Sequence, residues 1–242
     1  FWLDLTSERL YSILLNQGPC RGIEIDVSHL LEISEMFRAM IDFRSRFTST
    51  HSCGVATSAA TLARLFGYTD IEIELMEVAG NLHDIGKMVV PNSILAKPGK
   101  LTPDEFAIMR QHTYYTYVIL NTIGGIQHIA EWAAFHHERL DGSGYPFHVD
   151  AKNISINSRI MAVADIFTAL AEERPYRSSM SRQSILSILE KYCNNNWLDC
   201  SIVNLLEQNY DEVVSITKEK QDRARIYYEQ EFSLDKQMEY IA

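Results

Sequence analysis

The sequence predicts an all-α protein, and three observations carry that expectation. Apolar residues recur three and four apart through most segments, as in Val55, Ala59, Leu62, Ala63 and Phe66. Thr69-Asp70-Ile71-Glu72 and Thr102-Pro103-Asp104-Glu105 each pair a threonine cap with a glutamate three residues on, a capping box that opens a helix. No run of alternating β-branched residues suggests a sheet.

The elements follow in order. The stretch 27–47 is amphipathic, with Leu30, Ile33, Phe37, Met40 and Ile41 on one stripe. That stripe is expected to pack on the core, with a partner protomer as the alternative. The helix through Val55 and Phe66 ends at Gly67, a C-cap. Thr69 opens the helix that carries His83-Asp84. Pro91, Pro98 and Gly99 make 87–101 a loop. Pro103 suits the first position of the next helix, which carries His112. Gly124-Gly125 breaks the chain before a helix that ends near His136-His137. Asp141-Gly142-Ser143-Gly144-Tyr145-Pro146 is a loop. Helix resumes over 158–172, which carries Asp165, and over 182–193 and 199–208. The expected organisation is an N-terminal helical segment at 1–43, serving as linker or dimerisation element, a central domain at 44–210, and a charged, solvated helical tail at 211–242. No internal repeat is found.

The 242 residues are 46 % hydrophobic and 22 % charged, ordinary for a soluble globular chain. No stretch approaches the roughly 20 apolar residues of a membrane span, and no start reads as a signal peptide. The expected location is the cytoplasm, and Phe1 at the start suggests a piece of a longer protein. Cys20, Cys53, Cys193 and Cys200 form no CxxC pair and are read as isolated reduced thiols. A net charge of −10 argues against duplex nucleic acid or an anionic membrane as partner. It leaves an anionic small substrate open, because bound metal ions dominate a local field.

The chemistry-bearing set is His51, His83, Asp84, His112, His136, His137 and Asp165. Imidazole and carboxylate together suit first-row metals. Seven ligands are too many for one ion and about right for two. Adjacent helical residues diverge by about 100°, so His83-Asp84 can serve one ion with the imidazole and both with the carboxylate. Asp165 sits among Ile160, Met161, Val163, Ala164, Ile166 and Phe167, where an unpaired carboxylate is costly and a metal or cation partner is favoured. Taken singly, each histidine has a plainer reading as a surface or satisfied core residue, and His29, His128 and His148 keep it. Lys87, four residues after His83, is either a helix-terminal lysine complementing the dipole or a cation for a phosphate.

His83-Asp84-Ile85-Gly86-Lys87 resembles the HDxGK motif of the HD phosphohydrolase superfamily. His136-His137-Glu138 with Asp141-Gly142-Ser143-Gly144-Tyr145-Pro146 resembles the HHE…DGxGYP signature of its HD-GYP subfamily. Pro91-Asn92-Ser93-Ile94-Leu95, Lys97-Pro98-Gly99-Lys100-Leu101 and Arg174-Pro175-Tyr176-Arg177 are similar to other segments of that subfamily. The resemblance runs from about Arg44 to Gln208 and implies an HD-type helical bundle that hydrolyses cyclic di-GMP to pGpG or GMP in bacterial signalling. It implies that His51, His83, Asp84 and Asp165 bind one ion and Asp84, His112, His136 and His137 a second, with Asp84 bridging. Lys87 would lie beside the attacking hydroxide and the scissile phosphate. Arg174 and Arg177 would contact substrate, and Gly144 and Tyr145 would shape the site. The implied cofactors are two divalent ions, iron or manganese, with zinc, nickel and magnesium as alternatives.

Three departures bear on this reading. Phe47 stands where three-metal members carry glutamate, so two ions and pGpG as main product are expected. His112-Thr113-Tyr114-Tyr115-Thr116 replaces the usual His-Pro-x-x-Gly. Thr168 replaces a frequent aspartate. The alternatives are a 3′,3′-cyclic GMP-AMP phosphodiesterase and an inactive module that binds nucleotide or a diguanylate cyclase. The resemblance further implies an upstream sensor module, and a homodimer is allowed.

Overall fold

The computed structural model describes residues 25–44, 50–172 and 179–231. These fold as helices α1 (Val27–Arg44), α2 (His51–Phe66), α3 (Asp70–Leu82), α4 (Asn92–Leu95), α5 (Pro103–Asn121), α6 (Gln127–Ala134), α7 (Ile156–Ala171), α8 (Arg182–Asn194), α9 (Cys200–Gln208) and α10 (Tyr210–Glu231). Short 3₁₀ turns lie at Ile85–Val89 and Phe135–His137. Among the described residues there is no strand, and the one isolated bridge pairs Asp141 with Asp150. No described helix is long and apolar enough to cross a membrane.

Side-chain chemistry sets the helix ends. Thr69 and Thr102 close both capping boxes reciprocally with Glu72 and Glu105. Ser155, Ser181 and Asp199 cap α7, α8 and α9. Gly67 ends α2 at φ 98°, a left-handed conformation open to glycine without a Cβ penalty.

Helix α2 is the hub. Almost all of it is buried, because α3, α7 and α10 pack around it. Leu62, Met76, Ile129, Ile160, Met161 and Phe167 fill the core between these elements. Helix α5 lies against the 3₁₀ turn at Ile85–Val89 and against α6. All the candidate ligands face inward from this frame.

The structure differs from the sequence expectations at several points. His83 and Asp84 lie past the end of α3, with Asp84 at φ −105°, ψ 11°. Lys87 is therefore not one helical turn above His83; the tighter turn swings it onto Asp84. The 87–101 loop contains the end of a 3₁₀ turn and the one-turn α4. In α1, Ile41 is buried and Leu30 packs on the core, but Ile33, Phe37 and Met40 are exposed. The buried face of α1 instead includes Ser34, which accepts from Asn81 of α3. The C-terminal helix is not wholly solvated, since Val213 and Thr217 are buried against α2. Cys53, Cys193 and Cys200 are free thiols. Cys20, Phe47, Arg174 and Arg177 lie outside the described residues.

Candidate metal centre

Five separate stretches bring the seven expected ligands into one place. His51 opens α2, and His83 and Asp84 follow α3. His112 lies midway along α5, His136 and His137 end the turn after α6, and Asp165 lies on α7. The donor atoms of His51, His83 and Asp84 lie within 4.8 Å of one another, and so do those of His112, His136 and His137.

Asp84 joins the two groups. Its Oδ2 is 3.2 Å from His83 Nε2 and its Oδ1 is 3.3 Å from His112 Nε2. Lys87 Nζ donates to Oδ2. Asp165 closes the far side, with Oδ1 at 3.2 Å from His51 Nε2 and Oδ2 at 3.7 Å from His137 Nδ1.

Backbone carbonyls set the direction of three imidazoles. Nδ1 of His83, His112 and His136 lies 2.7 Å from the carbonyl oxygens of Gly80, Met109 and Ala133, each three residues earlier. A carbonyl oxygen only accepts, so each Nδ1 carries the proton and each Nε2 offers its lone pair to the interior. This is the tautomer a metal-binding imidazole needs. His112 Nε2 and His136 Nε2 lie 3.4 Å apart, two lone pairs with no proton between them. A cation at that point relieves the conflict. The donor set therefore fits divalent metal ions.

The electrostatics agree. Burial holds His112 down at about 4, and burial with the neighbouring His137 and His83 holds His136 well below the usual range. Burial also lowers His137. All three are neutral at physiological pH. Burial alone raises a carboxyl group, yet the Lys87 ammonium beside Asp84 holds it well below the carboxylate range. Against the same burial, His51 beside Asp165 keeps it ionised.

The opening lies beside His137, whose side chain is 31 % exposed while the other imidazoles are buried. Tyr145 tilts over the His137 ring at 4.9 Å between centroids, and the Arg110 guanidinium lies 4.2 Å above the Tyr145 ring. Glu138 holds this loop from below, accepting from the backbone N–H of Phe147 at 2.6 Å and His148 at 3.1 Å. Gly144 touches the Glu138 and Arg139 backbone so closely that a Cβ would come within 2.4 Å of Arg139 N. Gly144 thus packs the loop and Tyr145 faces the opening.

Two of the sequence departures now have a physical account. Thr116 does not disturb α5. Its hydroxyl donates to His83 O at 2.9 Å and accepts from Gly86 N at 3.0 Å, tying α5 to the His83–Gly86 segment. Thr168 faces away from the ligands and shares a buried hydroxyl cluster with Ser58 and Thr217. Sequence reasoning missed Arg110 and Glu172. Arg110 carries a signal only in retrospect, two residues before a ligand on a helix that reaches the opening. Glu172 carries one too, seven residues after Asp165 and so on the same helix face.

An HD domain profile matches residues 35–202. The chain belongs to the HD domain family. This HD domain is 34 % identical over 194 residues to 3′3′-cGAMP-specific phosphodiesterase 1 of Vibrio cholerae, covering 80 % of this chain and 45 % of that protein. It is 40 % identical over 151 residues to a cyclic di-GMP phosphodiesterase of Thermotoga maritima, covering 62 % and 41 %. Among solved structures it resembles a cyclic GMP-AMP specific phosphodiesterase of V. cholerae, with TM-score 0.58 and 31 % identity over 86 % of this chain and 47 % of that one. Bd1817, an HDG"Y"P protein of Bdellovibrio bacteriovorus, shares the fold at TM-score 0.57 and 16 % identity, over 77 % and 65 %. The chain spans less than half the length of these curated relatives.

Proposed function

We propose that this HD domain is a metal-dependent cyclic dinucleotide phosphodiesterase that opens cyclic di-GMP to pGpG. The observation that carries the reading is Asp84, with one carboxylate oxygen toward each histidine group and Lys87 on the same carboxylate. His51, His83, Asp84 and Asp165 would hold one ion, and Asp84, His112, His136 and His137 the other, with iron or manganese favoured by the N/O donors. Two such ions would supply a more acidic water and positive charge beside the phosphate.

The protein's own groups do the rest. The carbonyl-held imidazoles keep their lone pairs aimed inward before substrate arrives. Asp84 holds Lys87 at the centre, where its ammonium stabilises negative charge on the phosphate and supplies a proton to the leaving 3′ oxygen. One P–O bond forms to the water oxygen and the P–O3′ bond breaks, leaving a linear dinucleotide. Tyr145 and Arg110 offer a flat, cationic surface beside the opening, suited to a base or the second phosphate.

The relatives named for 3′3′-cGAMP favour a second reading, the same chemistry on that dinucleotide. The test is anaerobic protein loaded with iron or manganese, given each dinucleotide in turn, with products separated chromatographically. The expected result is pGpG, faster than cleavage of the mixed dinucleotide, and loss of turnover in D84N. Faster cleavage of the mixed dinucleotide would reassign the substrate. No turnover of either by protein holding two ions would leave a binding module.

A further inference from the structure

Four imidazoles in the centre offer Nε2 inward, and among the described residues three of them are aimed by a carbonyl of their own turn. His51 is the first residue of α2, and no backbone carbonyl of the described residues meets its Nδ1. Its Nδ1 faces a carboxylate instead, Glu172 Oε2, at 3.5 Å.

Glu172 is built into that position. It follows the last residue of α7, and its backbone N–H donates to Thr168 O at 3.0 Å. Thr50 Oγ1 donates to its other oxygen, Oε1, at 2.8 Å. Thr50 is itself held, because Gln221 of α10 donates to its carbonyl oxygen at 3.1 Å. With Oε1 on Thr50, Oε2 is turned toward His51. The side chains of His51, Asp165 and Glu172 are 6 %, 9 % and 8 % exposed, so water does not compete for these contacts.

Asp165 and Glu172 lie seven residues apart, two turns along one helix face. Asp165 on α7 and Glu172 just past its end thus flank both nitrogens of a single imidazole, Asp165 at Nε2 and Glu172 at Nδ1. We propose that Glu172 is the positioning residue for His51, accepting its Nδ1 proton so that Nε2 is free and aimed at the ion it shares with Asp165. A carboxylate does this more strongly than a carbonyl, because an anionic acceptor both orients the ring and raises its basicity as a ligand. Glu172 would act through His51 rather than on the substrate or the ion. The proposal rests on the two-ion reading above.

The test uses the full chain, stripped of metal under anaerobic conditions and titrated with Mn2+ against a chromophoric chelator. E172A is expected to weaken one of the two ions by about 10–100-fold, the range for loss of an outer-shell partner, and to leave the other unchanged. The electron paramagnetic resonance spectrum at two equivalents should shift from a coupled pair toward a single ion. H51A should lose the same ion, and adding E172A to H51A should cost nothing further. E172Q keeps the shape and a neutral acceptor, and is expected to weaken that ion roughly three- to tenfold. It decides the matter if E172A does not fold. Wild-type protein that binds two ions, with E172A or E172Q binding both at wild-type affinity, overturns the assignment of Glu172 alone. Wild-type protein that binds no ion overturns the metal centre itself, and this inference with it.

Discussion

Replacing Gly86 by alanine tests whether the steric fit of the HDxGK segment sets the metal centre. A Cβ at this position would lie 1.9 Å from His112 O, 2.6 Å from Thr116 N and 2.9 Å from His112 C. All three are backbone atoms of α5, so no side chain can swing aside. Raising 1.9 Å to the 3.4 Å of an ordinary contact requires a retreat of about 1.5 Å. His112 must follow, because Met109 O holds its ring on the same turn, and Nε2 then leaves Asp84 Oδ1. Overpacking of this kind costs roughly 1–3 kcal/mol, and an ångström of misplacement at a reacting centre costs about a hundredfold in rate. G86A is therefore expected to unfold at lower urea, to hold the His112 ion weakly, and to cleave bis(p-nitrophenyl) phosphate about a hundredfold more slowly. Gly124 has nothing within 4 Å of the corresponding point, so G124A is the control. G86A with two tightly held ions and turnover within twofold of wild type would refute the reasoning.

Two further predictions concern charge. Burial raises Asp42 to about 6 against a usual 3.8, despite the 2.7 Å hydrogen bond from Ser52 Oγ. Its folded pKa exceeds its unfolded one, so the folded state keeps a proton that the unfolded chain has released. Stability therefore falls as pH rises from about 4 to about 6, by roughly 3 kcal/mol at about 1.4 kcal/mol per unit. D42N should match wild type in urea unfolding near pH 4 and exceed it near pH 7.5; an equal gap at both pH values would count against the assignment. Arg110 should matter for a substrate with two phosphates and little for one with a single phosphate. R110A is expected to raise KM for the cyclic dinucleotide about tenfold, the worth of one charge-assisted contact, while bis(p-nitrophenyl) phosphate hydrolysis stays within twofold. Equal losses on both substrates would assign Arg110 to the support of Tyr145 alone.

Periodicity and capping made the helices legible, because those signals are local. Thr69, Thr102 and Gly67 act within one turn, and the structure places them as the sequence suggests. The ligand types were legible because few folds accumulate imidazoles and carboxylates among apolar residues. The geometry that joins them was not. Nothing near Asp84 in sequence says that one oxygen turns to His83 and the other to His112, 28 positions away. Nothing near Thr168 says that its hydroxyl turns to Ser58, or that Glu172 one turn later meets His51. The stripe on α1 was misread in part because 3.6-residue spacing identifies a helix face but not which face finds a neighbour.

Charge composition sets the C-terminal helix apart from the central domain, and hydrogen bonds tie it to the bundle. Gln221 reaches back 171 positions to the carbonyl oxygen of Thr50, the residue before the first ligand. Thr217 meets Ser58 one helix over, and Arg64 pairs with Glu212 at 2.7 Å. Helix α10 is therefore the outer wall of the ligand-bearing bundle, its charged face only the solvent side of that wall. The smallest piece that keeps the His51 end of the centre intact extends at least to Gln221, and a chain cut where the composition changes would leave Thr50 without its outer support.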